Sequence, residues 1–288
     1  MEQVIVNGLY LGAQYALIAL GLTLIFALMN VLNFAHGQMY VLGGFVTYMI
    51  YGQLGLPFPL AVICSGLTLA AVGAVIERFL FAPVIKRSAR EESTMLLAAA
   101  VAFFFDAIIL LLFGEKQRGV PKIINGVFIS DSVVMPYDRI VVGVVAMAMI
   151  VAFMLYMQYS KPGRAMRALA QDRVAAQLMG VNVDRYSTIG FALGAMLAGL
   201  VGGLLVSITG VNSGIGGAIS IKAFLMVMIG GAGVVGGAIA GGFILGMMES
   251  VGLSLLRNFG DITYLVIFAL LMVFLSIRPH GLMGKPWG

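Results

Sequence analysis

The feature that most constrains this chain is a long stretch without formal charge near its start. Between Glu2 and Glu77 there is no Asp, Glu, Lys or Arg. A helix needs about 20 apolar residues to cross a bilayer, so this stretch alone can supply about two or three crossings. Only 10% of the 288 residues are charged, against about 25% in a soluble domain. The segments also lack the apolar–polar alternation of membrane β-strands. The chain is therefore predicted to be an all-α, polytopic integral membrane protein.

Apolar segments separated by charged connectors predict the membrane spans. They are Val4–Met29, Gly37–Tyr51, Leu56–Ile76, Ser93–Phe113, Ile140–Met157, Tyr186–Ile208, Ile221–Leu256 and Ile262–Ile277. We expect about eight or nine transmembrane helices, some of them broken or re-entrant, in one transmembrane domain that covers residues 1–288. Glycines four apart, such as the pairs Gly8/Gly12 and Gly242/Gly246, predict close helix packing.

The distribution of basic residues predicts the orientation. Lysine and arginine concentrate in Glu77–Glu92, in Gln158–Arg185 and in the tail after Ile277. These three regions, and with them the C terminus, are expected to face the cytoplasm. The connector Gly114–Arg139 is basic as well, but acidic residues accompany its charges, so the rule does not fix its side. Three crossings before the first basic loop place the N terminus outside, whereas a re-entrant second span would place it inside.

The parity of the crossings predicts a break in Ile221–Leu256. An even number of crossings must separate the loop ending at Arg185 from a cytoplasmic C terminus, so this segment adds zero or two. Its sequence IGGAGVVGGAIAGG suits a short or re-entrant helix to about Gly233, then a turn and a second helix. Protein should enclose the break, because unsatisfied backbone groups are costly in lipid. Such breaks often border transport paths, so Gly230, Gly231 and Gly233 are candidates for lining one.

The sequence contains no recognisable constellation of catalytic or metal-binding residues. It lacks the G-x-x-x-x-G-K-[ST] phosphate loop, and its two histidines, His36 and His280, lie far apart. The single cysteine, Cys64, excludes an internal disulfide and, with so few histidines, argues against a zinc site. The net charge is +5, and most of the basic residues lie between apolar spans. Membrane topology explains this distribution better than a nucleic-acid surface does. We predict no catalytic residue, no metal, no nucleic-acid partner and no cofactor held by this chain.

A polar cluster, NVLNFAHGQ, interrupts the apolar N-terminal region. Asn30, Asn33, His36 and Gln38 supply neutral hydrogen-bonding groups, and Asn33 is expected to cap a helix that begins near Ala35. Two interpretations stay open. The cluster holds a helix junction together, or it lines a transport path opposite the glycine-rich break.

A few charged residues lie within or beside the spans. Asp106 lies mid-span; an intramembrane carboxylate is a functional candidate by default, although a protonated acid bonded to a neighbouring helix fits equally well. Glu249 is expected to make a structural bond or a snorkelling contact. We expect Lys222 at the outer interface, at the start of the short helix, and Arg257 paired with Asp261 at the outer surface.

The basic loop before Tyr186 has its own helical pattern. Pro162 and Gly163 end the preceding span, and Arg164–Met179 is predicted to form one amphipathic helix. Gly180 is a good terminator, and Asn182 or Asp184 is suited to cap the next span. From the residues alone, this helix either docks a cytoplasmic partner or lies on anionic headgroups, and both alternatives stay open.

The loop resembles the cytoplasmic coupling loop of permease subunits of ABC importers. In many of these, an alanine pair and a following glycine lie in a short helix that enters a groove of the ATPase, and DRVAAQLMGV fits this pattern. The resemblance implies that residues 158–185 form the coupling loop. The residues it implies for ATPase coupling are Arg164, Arg167, Asp172, Ala175, Ala176, Leu178 and Gly180.

More specifically, the chain resembles the smaller permease subunit of branched-chain amino-acid importers, the hydrophobic amino-acid uptake family. Asn7–Phe45, Glu77–Ser88, the coupling loop, Lys222–Ser250 and the closing RPHGLMGK carry the resemblance. It implies a prokaryotic inner-membrane importer of leucine, isoleucine or valine. The implied partners are a second permease, identical or homologous, two cytoplasmic ATPases that bind ATP, an extracytoplasmic binding protein and membrane lipid.

One position departs from the family pattern. Relatives often have amides where this chain has Asp106 and Ala107, so urea, short amides or other amino acids are alternative substrates. A different class, an ion-coupled secondary transporter that uses Asp106, is the rival interpretation.

Overall fold

A computed structural model describes residues 1–87, 91–130, 133–255 and 260–284 of the chain. The helices are α1 (Glu2–Met29), α2 (His36–Thr47), α3 (Phe58–Ile76), α4 (Ala82–Arg87), α5 (Glu91–Phe113), α6 (Tyr137–Tyr159), α7 (Lys161–Gln171), α8 (Arg173–Leu178), α9 (Val183–Thr209), α10 (Ile215–Gly230), α11 (Val235–Leu255) and α12 (Gly260–Ile277). Two π-helical stretches, Tyr48–Gln53 and Glu77–Phe81, extend α2 and α3. The described ranges contain six helices that are long and apolar enough to cross a membrane, with shorter apolar helices beside them. The predicted polytopic α-helical fold is confirmed.

The centre of the bundle is α1, which packs closely on α11 through glycines. A Cβ added at Gly246 would lie 2.4 Å from the backbone nitrogen of Gly12, and one at Gly242 would lie 2.3 Å from that of Ala16. No side chain fits between the two backbones at these points. The predicted use of the four-residue glycine spacing is therefore confirmed here.

A second central helix, α9, packs against α1 and α2 in the same way. Gly194 contacts the backbone of Gly21, and a Cβ on Gly202 would lie 1.9 Å from the carbonyl oxygen of Tyr40. The outer helices differ, because they leave large apolar side chains uncovered: Phe103 of α5 is 75% exposed and Met272 of α12 is 71% exposed. These exposed faces suit lipid or another membrane subunit.

The predicted break in the penultimate apolar segment is confirmed as the turn between α10 and α11. Gly231 (φ 105°) and Gly233 (φ 80°) take positive φ values there, which glycine adopts without a Cβ clash. The amides of Leu282 and Met283 donate to the carbonyls of Ile229 and Gly230, at 2.8 and 3.0 Å. The C-terminal tail thus satisfies carbonyls that the end of α10 would leave unpaired.

The basic loop, the break and the tail lie at the same end of the bundle. One cavity of about 890 Å³ is lined by the end of α1, by α7 and by residues 232–235, and Gly231 lies against Gly284 of the tail. The four helices that follow the basic loop, α9 to α12, bring the chain back to the same end of the bundle. The segment predicted to add zero or two crossings contributes two helices.

Two features differ from the sequence prediction. The short helix begins at Ile215 rather than Ile221. The glycine-rich residues before Ile221 are typical of a loop, but here their buried face supports a helix. The connector Gly114–Arg139 contains an unpredicted antiparallel hairpin of β1 (Val127–Ser130) and β2 (Val133–Pro136).

Candidate translocation and coupling sites

The junction between α1 and α2 is formed by the polar cluster. Asn30 ends α1 with a left-handed backbone (φ 54°), a conformation that asparagine tolerates better than most residues. The Asn33 side chain is fully buried, and its Oδ1 accepts a hydrogen bond from the amide of Ala35 at 3.0 Å. This bond forms a turn just before α2, which begins at His36 with Ala35 as its N-cap and without a side-chain cap, so the prediction that Asn33 caps the helix is wrong.

Two further side chains of the cluster tie α2 to its neighbours. The His36 ring is fully buried, and its Nε2 lies 3.1 Å from the carbonyl oxygen of Ile18 in α1. The Gln38 amide donates from Nε2 to Oδ1 of Asp106 at 3.0 Å, across to α5. Asp106 thus has a neutral partner on a neighbouring helix, which the sequence alone did not reveal.

The junction also contacts the first half of α10. The Gly37 amide donates to Oγ of Ser220 at 3.0 Å, and the same hydroxyl donates to the carbonyl of Phe34 at 2.9 Å. A Cβ on Gly37 would lie 2.0 Å from the carbonyl oxygen of Gly216. Asn30 of the cluster lines one cavity with Gly233 of the break, and the role of the cluster in a path opposite the break stays a prediction. The cluster faces Gly216–Ser220, whereas Gly230, Gly231 and Gly233 contact Gly237, the tail and the end of α1.

The junction retains unused hydrogen-bonding capacity. Asn33 Nδ2, His36 Nδ1 and Gln38 Oε1 are buried and have no partner among the residues that the structure describes. Burying such groups without a partner is costly. A helix junction that served packing alone would gain from apolar side chains at these positions.

A charged cluster that sequence reasoning missed joins four helices. Lys222 of α10 lies 3.1 Å from both carboxylate oxygens of Glu249 in α11. Tyr15 of α1 and Tyr264 of α12 donate to the same carboxylate at 2.5 and 2.8 Å. The Lys222 side chain is 26% exposed and that of Glu249 is 6% exposed. The structural bond expected of Glu249 is confirmed.

The prediction that Lys222 begins the short helix is wrong, and its position at the outer interface stays a prediction. Because α10 begins at Ile215, Lys222 lies well inside the helix. The ammonium group has Glu249 as its counter-ion, so it does not need to reach the membrane surface. The predicted pair Arg257–Asp261 lies outside the residues whose side chains the structure describes.

The basic loop folds into two helices, so the prediction of a single helix over Arg164–Met179 is wrong. Ser160 accepts from the amide of Gly163 at 2.9 Å and caps α7. Asp172 ends α7, and its Oδ1 accepts from the amides of Val174 and Ala175 at 2.9 Å, which caps α8. An aspartate favours this capping geometry over a helix interior.

The two sides of this loop differ sharply in exposure. Ala176 of α8 is buried at 5% exposure, whereas Val174, Leu178 and Met179 are 69%, 83% and 85% exposed. Ala175, the partner of Ala176 in the alanine pair, is exposed. The apolar surface that α8 presents is therefore made of these four residues without Ala176, which packs inward.

The remaining predicted coupling residues lie around this surface. Arg164 and Arg167 are exposed on α7, and Arg167 Nη2 donates to the carbonyl of Gln158 at 3.1 Å. Gly180 takes φ 84° just after α8, as its predicted role as terminator requires. Asn182 caps α9 by accepting from the amide of Arg185 at 2.9 Å, which settles the choice between Asn182 and Asp184.

Comparison with known proteins places this geometry in a family. Residues 4–275 match the family model described as branched-chain amino acid transport system, permease component. The chain is 33% identical over 97% of its length to the high-affinity branched-chain amino acid transport system permease protein LivH of Escherichia coli K12, of which it covers 94%. It is 33% identical over 99% of its length to the permease protein BraD of Pseudomonas aeruginosa, of which it covers 96%. A solved structure, PsaBC from Streptococcus pneumoniae in complex with Fab, matches with a TM-score of 0.49 and 17% identity over 95% of this chain and 91% of that chain.

Proposed function

This chain belongs to the family of permease components of branched-chain amino acid transport systems, and we propose that it is a transmembrane permease subunit of an ATP-driven importer of leucine, isoleucine and valine. The near-full-length similarity to high-affinity permeases for these amino acids carries the proposal. The family is one of transport components and not of enzymes.

The partners follow from this role. A second permease, identical or homologous, completes the path, and two ATPase subunits bind ATP at the cytoplasmic end. An extracytoplasmic binding protein delivers the amino acid at the other end. The assembly lies in a prokaryotic inner membrane with the C terminus of this chain in the cytoplasm, on the side of the basic loop.

The coupling surface is the exposed face of α8. An exposed apolar patch outside the spans marks an interaction site, and Val174, Ala175, Leu178 and Met179 form such a patch. The caps at Ser160 and Asp172 hold the two loop helices in fixed orientations. A push on α8 is therefore passed to α7 and to the cavity that α7 shares with the break.

The path lies along the α2–α5 side of the junction. Asp106 is partly exposed in the middle of α5, where the exposed side chains around it, Phe103, Phe104, Ala107 and Leu110, are apolar. A carboxyl group that faces hydrocarbon is costly. The surface of α5 around Asp106 therefore faces either the second permease or the aqueous path between the two permeases. Gln38 and the free polar atoms of Asn33 and His36 place neutral hydrogen-bonding groups behind it.

The glycine-rich break contributes at the inner end. Gly233 lines the cavity below α7, and Gly230 and Gly231 precede it at the end of α10. A change in α7 can widen or close the way out at this cavity. A zwitterion on this route meets amides and helix ends rather than unpaired charges, which suits a solute with no net charge.

Competition for uptake tests the substrate. Cells that lack their own branched-chain permeases are given this chain with its partner subunits, and uptake of labelled leucine is measured with excess isoleucine, valine, urea or acetamide. We expect isoleucine and valine to compete and urea and acetamide to have no effect. Competition by the amides alone would contradict the proposed substrate and would point to Asp106 as the cause.

A further inference from the structure

A second cavity, separate from the proposed path, lies at the loop end of the bundle. It has a volume of about 680 Å³ and opens between the π-helical end of α3 and the start of α9. The polar side chains that line it include Glu77, Arg78, Lys86, Asp184, Arg185 and Thr188. It is large enough for a phosphoglycerol headgroup.

The charges in this cavity do not cancel. Lys86 pairs with Asp184 at 2.5 Å. Glu77 is 2% exposed, accepts a hydrogen bond from Thr188 Oγ1 and interacts electrostatically with Arg78 and Lys86. Arg78 and Arg185, both exposed, make no ion pair with any residue that the structure describes. Three basic and two acidic side chains therefore leave the cavity with a net positive charge, and the guanidinium groups of Arg78 and Arg185 are exposed at its wall.

The same segment carries apolar side chains that face outward. Val75 is 54% exposed, Phe79 is 69% exposed and Leu80 is 39% exposed. They flank Arg78 at the end of a membrane-spanning helix, which is the level at which acyl chains meet headgroups. A basic pocket beside exposed apolar side chains of the same helix end has the chemistry of a lipid site.

We propose that this cavity binds the phosphate of an anionic phospholipid headgroup. Arg78 and Arg185 donate to the phosphate oxygens, since guanidinium groups recognise phosphate through paired, charge-assisted hydrogen bonds. The acyl chains lie along Val75 and Phe79. A docking ATPase is the less suitable occupant, because the apolar surface proposed to receive it lies on α8, whose residues do not line this cavity.

Lipid binding to the purified full-length chain tests the proposal. Native mass spectrometry measures the affinity for phosphatidylglycerol and for phosphatidylcholine in the wild type, in the variant Arg78→Gln/Arg185→Gln and in Lys116→Gln/Lys122→Gln. The last variant removes the same charge from two exposed residues of Gly114–Arg139 and is the control. We expect the arginine variant to lose at least about fivefold in affinity for phosphatidylglycerol, with the control and the phosphatidylcholine affinities unchanged.

Further arms separate the sources of phosphate. Soluble glycerol phosphate should compete weakly, because it lacks the acyl chains; if it bound as tightly as the lipid, the lipid assignment would be overturned. Equal affinity of the wild type and the arginine variant for phosphatidylglycerol would also overturn it, even if the variant lost its ATPase.

Two further sets of variants complete the test. Arg78→Lys/Arg185→Lys keeps the charge and should restore part of the binding. The single glutamine variants decide the matter if the double variant does not fold. Transport is not measured, so a failure here leaves the importer role untouched.

Discussion

At the scale of single residues, the charged groups inside this bundle are held in partnered sets. Lys222, Glu249, Tyr15 and Tyr264 form one set, and Asp106 with Gln38 forms another. Each set connects different helices, so each side chain acts as a link between elements. In a medium that offers no water, removing one member leaves the others without a partner.

The ion pair between α10 and α11 gives the first prediction. Glu249→Gln leaves Lys222 without its counter-ion and should lower the free energy of unfolding by about 2–4 kcal/mol. Replacing both residues by methionine should recover much of that loss, because no charge remains buried. Thermal unfolding of the purified protein measures both. A single variant as stable as the wild type would show that the pair does not hold the helices together.

The Asp106–Gln38 bond gives the second prediction. Asp106→Asn keeps an oxygen that can accept from Gln38, so stability and insertion should be unchanged. Asp106→Leu leaves the Gln38 amide buried without a partner and should cost about 1–2 kcal/mol. The midpoints of thermal unfolding are compared, with Leu110→Ala on the same helix as control. If asparagine and leucine behaved alike, the hydrogen bond would contribute nothing.

The sequence indicates which residues are unusual at this scale but not what they touch. Asp106 and Glu249 are conspicuous in apolar spans, and a local bond at Asn33 was predictable because its partner, the amide of Ala35, is two positions away. Gln38 and Asp106 are 68 positions apart. Their contact depends on how α2 and α5 pack, and no spacing rule contains that information.

At the scale of elements, the short helices α2 and α10 determine the interior of the bundle. Both begin where the α1–α2 junction meets Gly216–Ser220, and glycines let them touch. The break after α10 is closed by the tail through two backbone hydrogen bonds. These short elements, and not the long spans, bring polar backbone groups into the membrane-embedded part of the chain.

The contact between α2 and α10 gives the third prediction. A methyl group on Gly37 would lie 2.0 Å from the carbonyl oxygen of Gly216, so Gly37→Ala must push the helices apart and weaken the bond to Ser220. We expect a loss of about 1–3 kcal/mol in stability. Gly236→Ala is the control, since its added carbon has only the Met283 sulfur nearby, at 3.8 Å. Equal melting temperatures for the two variants would contradict the close contact.

The exposed face of α8 gives the fourth prediction. Leu178→Glu places a charge on the proposed docking surface and should abolish co-purification of the ATPase with little change in stability, because the side chain is 83% exposed. Ile129→Glu makes the same change at a 74% exposed position of the hairpin and should leave co-purification intact. Ala176→Glu should instead reduce stability, because Ala176 is buried. Retention of the ATPase by Leu178→Glu would exclude this face as the docking site.

The positions at which helices begin and end could be predicted from the sequence only in part. The break between α10 and α11 was predictable, since glycine-rich sequence and parity agreed. The division of the loop at Asp172 was missed, although an aspartate in the middle of a helical pattern is a capping signal. The start of α10 was missed because Gly214, Gly216 and Gly217 suggest a loop, while contacts with Gln38 and Gly37 support a helix.

At the scale of the whole molecule, the chain is a multi-pass membrane permease component. Its sequence has no phosphate loop, and the loop end of the bundle presents an exposed apolar face on α8. The outer helices α5 and α12 expose large apolar side chains, which a second permease can cover. These features fit a subunit that carries the path and receives its energy from other chains.

Leucine uptake into proteoliposomes tests this claim most directly. Vesicles are prepared with this chain alone and with its second permease and ATPases, with ATP inside and the binding protein outside. We predict accumulation of leucine against its gradient only in the complete assembly and only with hydrolysable ATP. Uphill uptake by this chain alone, driven by a sodium or proton gradient, would contradict the account.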